Sequence, residues 1–227
     1  MNSSSIFIVI PVYNEAAVIA QTLHQVLQTG HTVVVVDDGS SDETGVVVKQ
    51  FPVHYICHPV NLGQGAALQT GMFFAMMQHA TAVVHFDADG QHRAEDIAQL
   101  LQPVLDGSCD VAFGSRFINK TAVNIPFSKK IFLQLARYVN WMFTGILLTD
   151  AHNGLRALNS KALESIYLSE NGMAHASEIL WLVKENQLVY KEVPVTIEYT
   201  AYSRRKGQSL WNSVNIIFDL LFKKINR

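Results

Sequence analysis

Two carboxylates, Asp87 and Asp89, stand one residue apart at the end of an apolar run, in the stretch 84–93, VHFDADGQHR. Ala82, Val83, Val84, His85 and Phe86 lead directly into them. In extended backbone the side chains of i and i+2 share a side, so Asp87 and Asp89 converge where the chain turns at Gly90. Carboxylates held that close repel unless a cation lies between them. All-oxygen ligation suits Mg²⁺ or Mn²⁺, and a site with open positions also holds a diphosphate. The non-catalytic alternative is a loop in which one Asp caps a helix beginning near Ala94.

Two further stretches have the same layout. IFIVIPVYNE, 6–15, reads as a strand that stops at Pro11, which cannot donate to a ladder, with a helix starting after Asn14. HTVVVVDDGSSDET, 31–44, carries four consecutive valines, the mark of a strand buried on both faces. Asp37, Asp38, Gly39 and Ser40 form the turn at its end, with Asp42 or Ser41 to cap the next helix. In open α/β sheets ligands sit outside the carboxyl ends of the strands, and all three polar clusters fall on that edge.

The elements that must position these residues alternate. Strands are expected near 5–10, 32–37, 53–57, 81–86 and 109–113, and helices near 15–29, 42–50, 63–79 and 94–106. That order implies an α/β fold with a doubly wound, mostly parallel sheet. After Arg116 the pattern changes to helices at 128–148 and 175–186, short strands near 188–198 and a last helix at about 209–224. A single domain over 1–227 is expected, with a nucleotide-binding half to about 116 and an acceptor-binding half beyond it. Gly63-Gln64-Gly65-Ala66-Ala67-Leu68 imitates a dinucleotide fingerprint, with Asp87 roughly 20 residues further on. Leu68 stands where the third glycine belongs, and the turn is the third βα turn rather than the first, which argues against a nicotinamide or flavin enzyme.

Composition agrees. The 227 residues are 49% apolar with a net charge of −2, enough for one sizeable core and without the basic field that nucleic acid requires. Cys57 and Cys109 lie in apolar strand-like runs and read as inert core thiols in a reducing compartment. The chain begins without a basic region and cleavage site, so no signal peptide is expected, and no uninterrupted 18-residue apolar segment marks a membrane span.

Several side chains suggest roles by chemistry alone. Tyr13 offers a face for a base to stack on, and Asp38 an acceptor for a ring N–H of uracil or guanine. Arg116 and Arg156 follow strand or loop ends and suit phosphate in fork geometry. Pro11-Val12-Tyr13-Asn14-Glu15, Asp37 to Asp42, Asn61 to Ala67 and Asp87-Ala88-Asp89-Gly90-Gln91-His92 together resemble the family 2 glycosyltransferases. The match continues through Gly114-Ser115-Arg116-Phe117, Asn153-Gly154-Leu155-Arg156-Ala157 and Glu192-Val193-Pro194-Val195, and the later segments are most similar to polyprenyl-phosphate sugar transferases of the dolichyl-phosphate-mannose synthase type.

The resemblance implies the GT-A, nucleotide-diphosphosugar transferase fold and inverting transfer by single displacement. It implies that Pro11, Tyr13, Glu15, Asp38, Gly63, Gln64, Gly65, Asp87 and Ala88 line the nucleotide-sugar, and that Asp87, Asp89 and Gln91 surround the metal. Family members often carry Lys or Arg where Gln64 or Gln69 stands here. Arg204, in the basic segment 203–209, is implied to close over the diphosphate, and Asp150 is an acidic candidate in the acceptor half. Relatives with hydroxyl acceptors carry a Glu-Asp pair where this chain has Met173-Ala174-His175-Ala176-Ser177-Glu178, leaving Glu178 as a vestige, a cap or a weak base.

Leu210, Trp211, Val214, Ile217, Phe218 and Leu221 form one helical stripe, and Ile131–Leu148 is apolar nearly all round. These read as core, as in-plane membrane helices or as a face for a membrane-protein partner. The expected donor is a UDP-sugar in preference to a GDP-sugar. The acceptor is a polyprenyl phosphate or, alternatively, a saccharide hydroxyl; a silent nucleotide-sugar-binding subunit is the third reading. The expected location is cytoplasmic, with peripheral attachment to the cytoplasmic face of the membrane.

Overall fold

A computed structural model describes residues 5–118, 122–123, 137–138, 140–142, 144–151 and 153–198. Arg204, the C-terminal stripe and most of the 128–148 segment lie outside the described residues. The strands are β1 (Ile6–Val12), β2 (Thr32–Asp37), β3 (His54–Cys57), β4 (Ala82–His85), β5 (Val111–Ser115), β6 (Ala122–Val123), β7 (Arg156–Asn159), β8 (Tyr190–Pro194) and β9 (Ile197–Glu198). The helices are α1 (Ile19–Leu27), α2 (Thr44–Val48), α3 (Gln64–Met77), α4 (Asp96–Leu105), α5 (Ser160–Ser165) and α6 (His175–Glu185).

Seven strands form one sheet in the order β3-β2-β1-β4-β7-β5-β8, and β6 pairs with β9 in a small second sheet. Within the large sheet β7 runs antiparallel to both β4 and β5, and every other pair is parallel. The apolar runs explain the layers. Along β1, Ile6, Ile8, Ile10 and Val12 enter the core shared with α1 and α4. The alternate residues Phe7 and Val9 enter the core shared with α3, α5 and α6. Both faces are covered, as a continuous apolar strand requires.

Three expectations are corrected. β1 runs through Pro11, which pairs with Val36, to Val12. Val9 O accepts from Phe86 N–H, so the backbone of residue 11 also faces β4, whose pairing has already ended at Val9; the missing N–H costs no ladder bond. The helix expected near Ala94 begins at Asp96, and no aspartate side chain caps it. Cys57, on the edge strand β3, is exposed, whereas Cys109 is buried. The strand β7 was not expected at all.

Candidate active site

The carboxyl ends of β1, β2 and β4 meet at one edge. Asn14 takes a positive φ of 52°, and its Oδ1 accepts the Ser41 N–H at 2.8 Å. Asn14 N–H donates to Ser40 Oγ at 2.9 Å and Glu15 N–H to Thr44 Oγ1 at 2.8 Å, stitching the turn after β1 to the turn after β2. Tyr13 is 45% exposed on this wall. Asp38 is buried and holds the neighbouring loop. Its Oδ1 is 2.7 Å from His58 Nδ1 and accepts Leu62 N–H at 3.0 Å, and its Oδ2 accepts Gly63 N–H at 2.7 Å. A carboxylate oxygen accepts about two bonds, and among the described residues Oδ2 accepts one.

Asp87 is the fixed member of the carboxylate pair. Its Oδ1 accepts from the Gln64 amide at 3.1 Å, and its Oδ2 lies 3.0 Å from His92 Nε2. A Cβ on Gly154 would stand 2.1 Å from that Oδ2, so the carboxylate lies where only a glycine leaves room. Burial disfavours the charged form of Asp87. The bond to His92, its charge and that of Arg156 outweigh burial and hold the carboxyl below its ordinary range. Asp89 shifts the other way: burial, then the charge of Asp87, raise its pKa. It accepts from the N–H of Gln91 at 3.1 Å and from the Gln91 side-chain amide at 2.5 Å.

This donor set fits a hard divalent cation. Asp87 is held low by the bond to His92 and by nearby positive charge, while burial and then the charge of Asp87 raise Asp89; a cation between them would favour the charged form of both. Among the described residues no group of three or more His, Cys, Asp or Glu is arranged as a metal cage. A cation held by Asp89 and Asp87 would therefore draw further ligands from water and phosphate oxygens, as Mg²⁺-type sites do.

Three amides of the stretch 63–66, expected to line the nucleotide-sugar, are bonded within the chain, that of Gly63 to Asp38. Gly65 and Ala66 N–H both donate to Asn171 O, at 2.7 and 3.3 Å. Gly63 adopts φ 110°, and a Cβ there would meet Asn171 O at 2.3 Å, so glycine is needed for both reasons. Gln64 is the member of this loop that reaches the carboxylates.

At the end of β5, Arg116 and Asp150 form a buried ion pair. Arg116 Nε donates to Asp150 Oδ2 at 2.6 Å, and Arg116 N–H donates to the same oxygen at 3.1 Å. Asn153 adds a third donor at 3.3 Å. Glu192 Oε1 accepts from Thr149 N–H and Oγ1 at 2.7 and 2.6 Å. Arg156 is placed differently. On β7 it pairs with His85 of β4 and Phe113 of β5, at the middle of the sheet. It is 3% exposed. Burial pushes its guanidinium down to about 10, against the influence of Asp87 and Asp150. The hydrogen bonds of those carboxylates go elsewhere, to Gln64 and His92 and to Arg116 and Asn153. Arg156 thus has charge partners but no side-chain acceptor among the described residues.

Two histidines that the motifs did not single out surround this cation. His85 is fully buried and neither ring nitrogen has a hydrogen-bond partner among the described residues; burial, then Arg156 and His175, push its pKa down to about 3. His175 Nδ1 is bonded to Gly172 O at 2.8 Å, and burial, then Arg156, push it down to about 4. His92 and Gly154 stood within quoted motifs without a role. Nothing local marks His85, His175 or Asn171: the pairing of β4 with β7 places His85, and the docking of the 171–175 segment on the start of α3 places the other two.

The model of the family described as "Glycosyl transferase family 2" matches residues 7–167. The chain belongs to this family and is a glycosyltransferase. It is 32% identical to the UDP-N-acetylglucosamine–dolichyl-phosphate N-acetylglucosaminyltransferase of Methanococcus voltae, over 100% of this chain and 99% of that one. It is 30% identical to the polyprenol monophosphomannose synthase of Mycolicibacterium smegmatis, over 92% and 82%. In fold it is similar to the glucosyl-3-phosphoglycerate synthase of Mycobacterium tuberculosis solved with Mn²⁺, UDP and glucosyl-3-phosphoglycerate. That likeness has a TM-score of 0.72 at 16% identity and covers 96% of this chain and 78% of that one. The GT-A expectation therefore holds, with one antiparallel strand inserted.

Proposed function

We propose that this protein moves a hexose from a nucleotide-diphosphate sugar, a UDP-sugar before a GDP-sugar, to a polyprenyl phosphate at the cytoplasmic face of a membrane, with inversion. The observation that carries the choice of acceptor is the state of the carboxylates in the second half. Glu178 has both oxygens bonded to Ser169 and Glu170, and Asp150 is paired with Arg116. Neither is poised to take a proton from a hydroxyl. A lipid phosphate needs no base, since it arrives as an anion. The relatives named for dolichyl-phosphate and polyprenol products support this reading.

In this reading Tyr13 and Asp38 hold the nucleoside, with Pro11 and Glu15 beside them. Asp87, Asp89 and Gln91 hold Mg²⁺ or Mn²⁺, with Ala88 between the carboxylates and Gly63, Gln64 and Gly65 bordering the donor. A bound cation supplies Lewis-acid stabilisation of the departing diphosphate. Arg156, a desolvated guanidinium without a side-chain acceptor among the described residues, offers its N–H groups to phosphate oxygens where the two anions must meet. Arg116, oriented by Asp150, and Arg204, outside the described residues, add positive charge. The phosphate oxygen attacks the anomeric carbon as its bond to the diphosphate oxygen breaks, and one negative charge passes to the nucleotide. No helix among the described residues is long and apolar enough to cross a membrane, and peripheral attachment is the form proposed.

The deciding experiment incubates the enzyme with a panel of nucleotide-sugars, with Mn²⁺, and with polyprenyl phosphate in liposomes or a soluble saccharide. Transfer to the lipid, with Arg156→Ala slowed by roughly 10²-fold or more, supports the proposal. Transfer only to the saccharide overturns it.

A further inference from the structure

The loop that carries the two carboxylates is fastened to residues 194–198. Glu198 N–H donates to Gln91 O at 2.9 Å, and His92 and Ile197 form an antiparallel bridge. Arg93 Nε donates to Glu198 Oε1 at 2.5 Å. One turn further on, Thr196 N–H donates to Asp96 Oδ2 at 2.6 Å and the Gln99 amide donates to Pro194 O at 2.9 Å. The residues gripped in this way are those that hold the carboxylates. Gln91 bonds Asp89 through both its backbone and its side chain, and His92 contacts Asp87. The loop itself has no strand or helix between the end of β4 and the start of α4, and Gly90 within it takes φ +71°.

We propose that Arg93 and Glu198 are positioning residues for the cation site. The strap formed by β9 fixes Gln91 and His92, and through them the mutual orientation of Asp89 and Asp87. This deepens the reading of that pair as the place where the divalent cation binds, and rests on it. The Arg93 and Glu198 side chains are about half exposed, 50% and 45%. An ion pair so exposed contributes little to global stability, whereas a small displacement of a ligand group is felt directly at a site. Loss of the pair therefore separates the two quantities: the fold keeps its thermal midpoint while cation affinity falls.

The test is Mn²⁺ binding to the full chain in the presence of UDP, read by electron paramagnetic resonance, with thermal melting in parallel. Glu198→Ala and Arg93→Ala should weaken Mn²⁺ binding by roughly 2- to 5-fold with an unchanged midpoint. Glu198→Pro, which also removes the N–H bonded to Gln91, should weaken it by roughly 10-fold. The exchange Arg93→Glu with Glu198→Arg should recover to within about 2-fold of the original affinity. Wild-type binding that is lost in Asp89→Ala yet kept in every strap variant overturns the strap alone. No Mn²⁺ binding by the wild type overturns the cation assignment, and the strap's role with it. Should Glu198→Pro melt early, the two alanine variants and the exchange decide the matter.

Discussion

Glu178 receives Ser169 at both carboxylate oxygens: Oε1 accepts its backbone N–H at 3.0 Å and its hydroxyl, and Oε2 accepts the same N–H at 3.2 Å. Oε2 accepts the Glu170 N–H at 2.9 Å. The carboxylate thus fixes the loop whose next carbonyl, that of Asn171, receives Gly65 and Ala66 at the start of α3. A residue that sequence alone leaves between vestige, cap and base is in this structure an anchor that joins the two halves of the chain beside Gln64.

Glu178→Gln should therefore lower stability by about 1–2 kcal/mol, the cost of weakening buried bonds to a charged acceptor. Its kcat should fall by less than about 10-fold, well short of the 10²- to 10⁴-fold expected when a general base is lost. Urea unfolding and steady-state rates on one preparation separate the two. A large kcat defect at unchanged stability would restore Glu178 as the base.

Gly154→Ala places a methyl group 2.1 Å from Asp87 Oδ2 and 2.7 Å from its Cγ. The carboxylate is held by His92 and Gln64 and must leave one of them. Transfer should fall by roughly 10²-fold, at a stability cost of about 1–3 kcal/mol. Near wild-type turnover would show that the position of Asp87 is unimportant.

Asp150→Ala removes a buried ion-pair partner of Arg116, a loss that costs about 3–5 kcal/mol when such a pair is broken. Asp150→Asn keeps an acceptor oxygen and should cost less. The expected signature is a lowered melting temperature for Asp150→Ala that exceeds that of Asp150→Asn. Equal melting with a collapsed kcat in both would mark Asp150 as a group that acts on substrate.

Acid should destabilise the protein in a defined window. His85 and His175 are pushed down to about 3 and about 4 from an ordinary value of 6.5. Between those values the unfolded chain binds more protons, so stability rises with pH and is lost as pH falls from 6.5 towards 4. The slope is on the order of 1.4 kcal/mol per pH unit for each histidine. Urea unfolding at several pH values should show it, and His85→Leu should reduce it. An unchanged slope in that variant would mean that His85 titrates elsewhere or not at all.

What could be read from the sequence is what local patterns encode. Continuous apolar runs such as Val33–Val36 demand burial on both faces, and the helices between them demand parallel crossovers, so the sheet and the edge where Asp38, Tyr13 and Asp89 gather followed from periodicity. The Asp-x-Asp spacing placed both carboxylates at one strand end for the same reason, that side chains two apart share a side. The strand β7 could not be read this way. Four residues with an arginine first carry no periodic signal, and Arg156–Asn159 becomes a strand because β4 and β5 offer it two open ladders. Pairing across about seventy residues in sequence, from His85 to Arg156, is set by the whole core rather than by its neighbours. Tertiary structure alone therefore decided that Arg156 is a buried cation beside Asp87, that Glu178 is an anchor, and that Glu198 grips the carboxylate loop. Each depends on which groups the packed chain leaves without water, and that is a property of three dimensions.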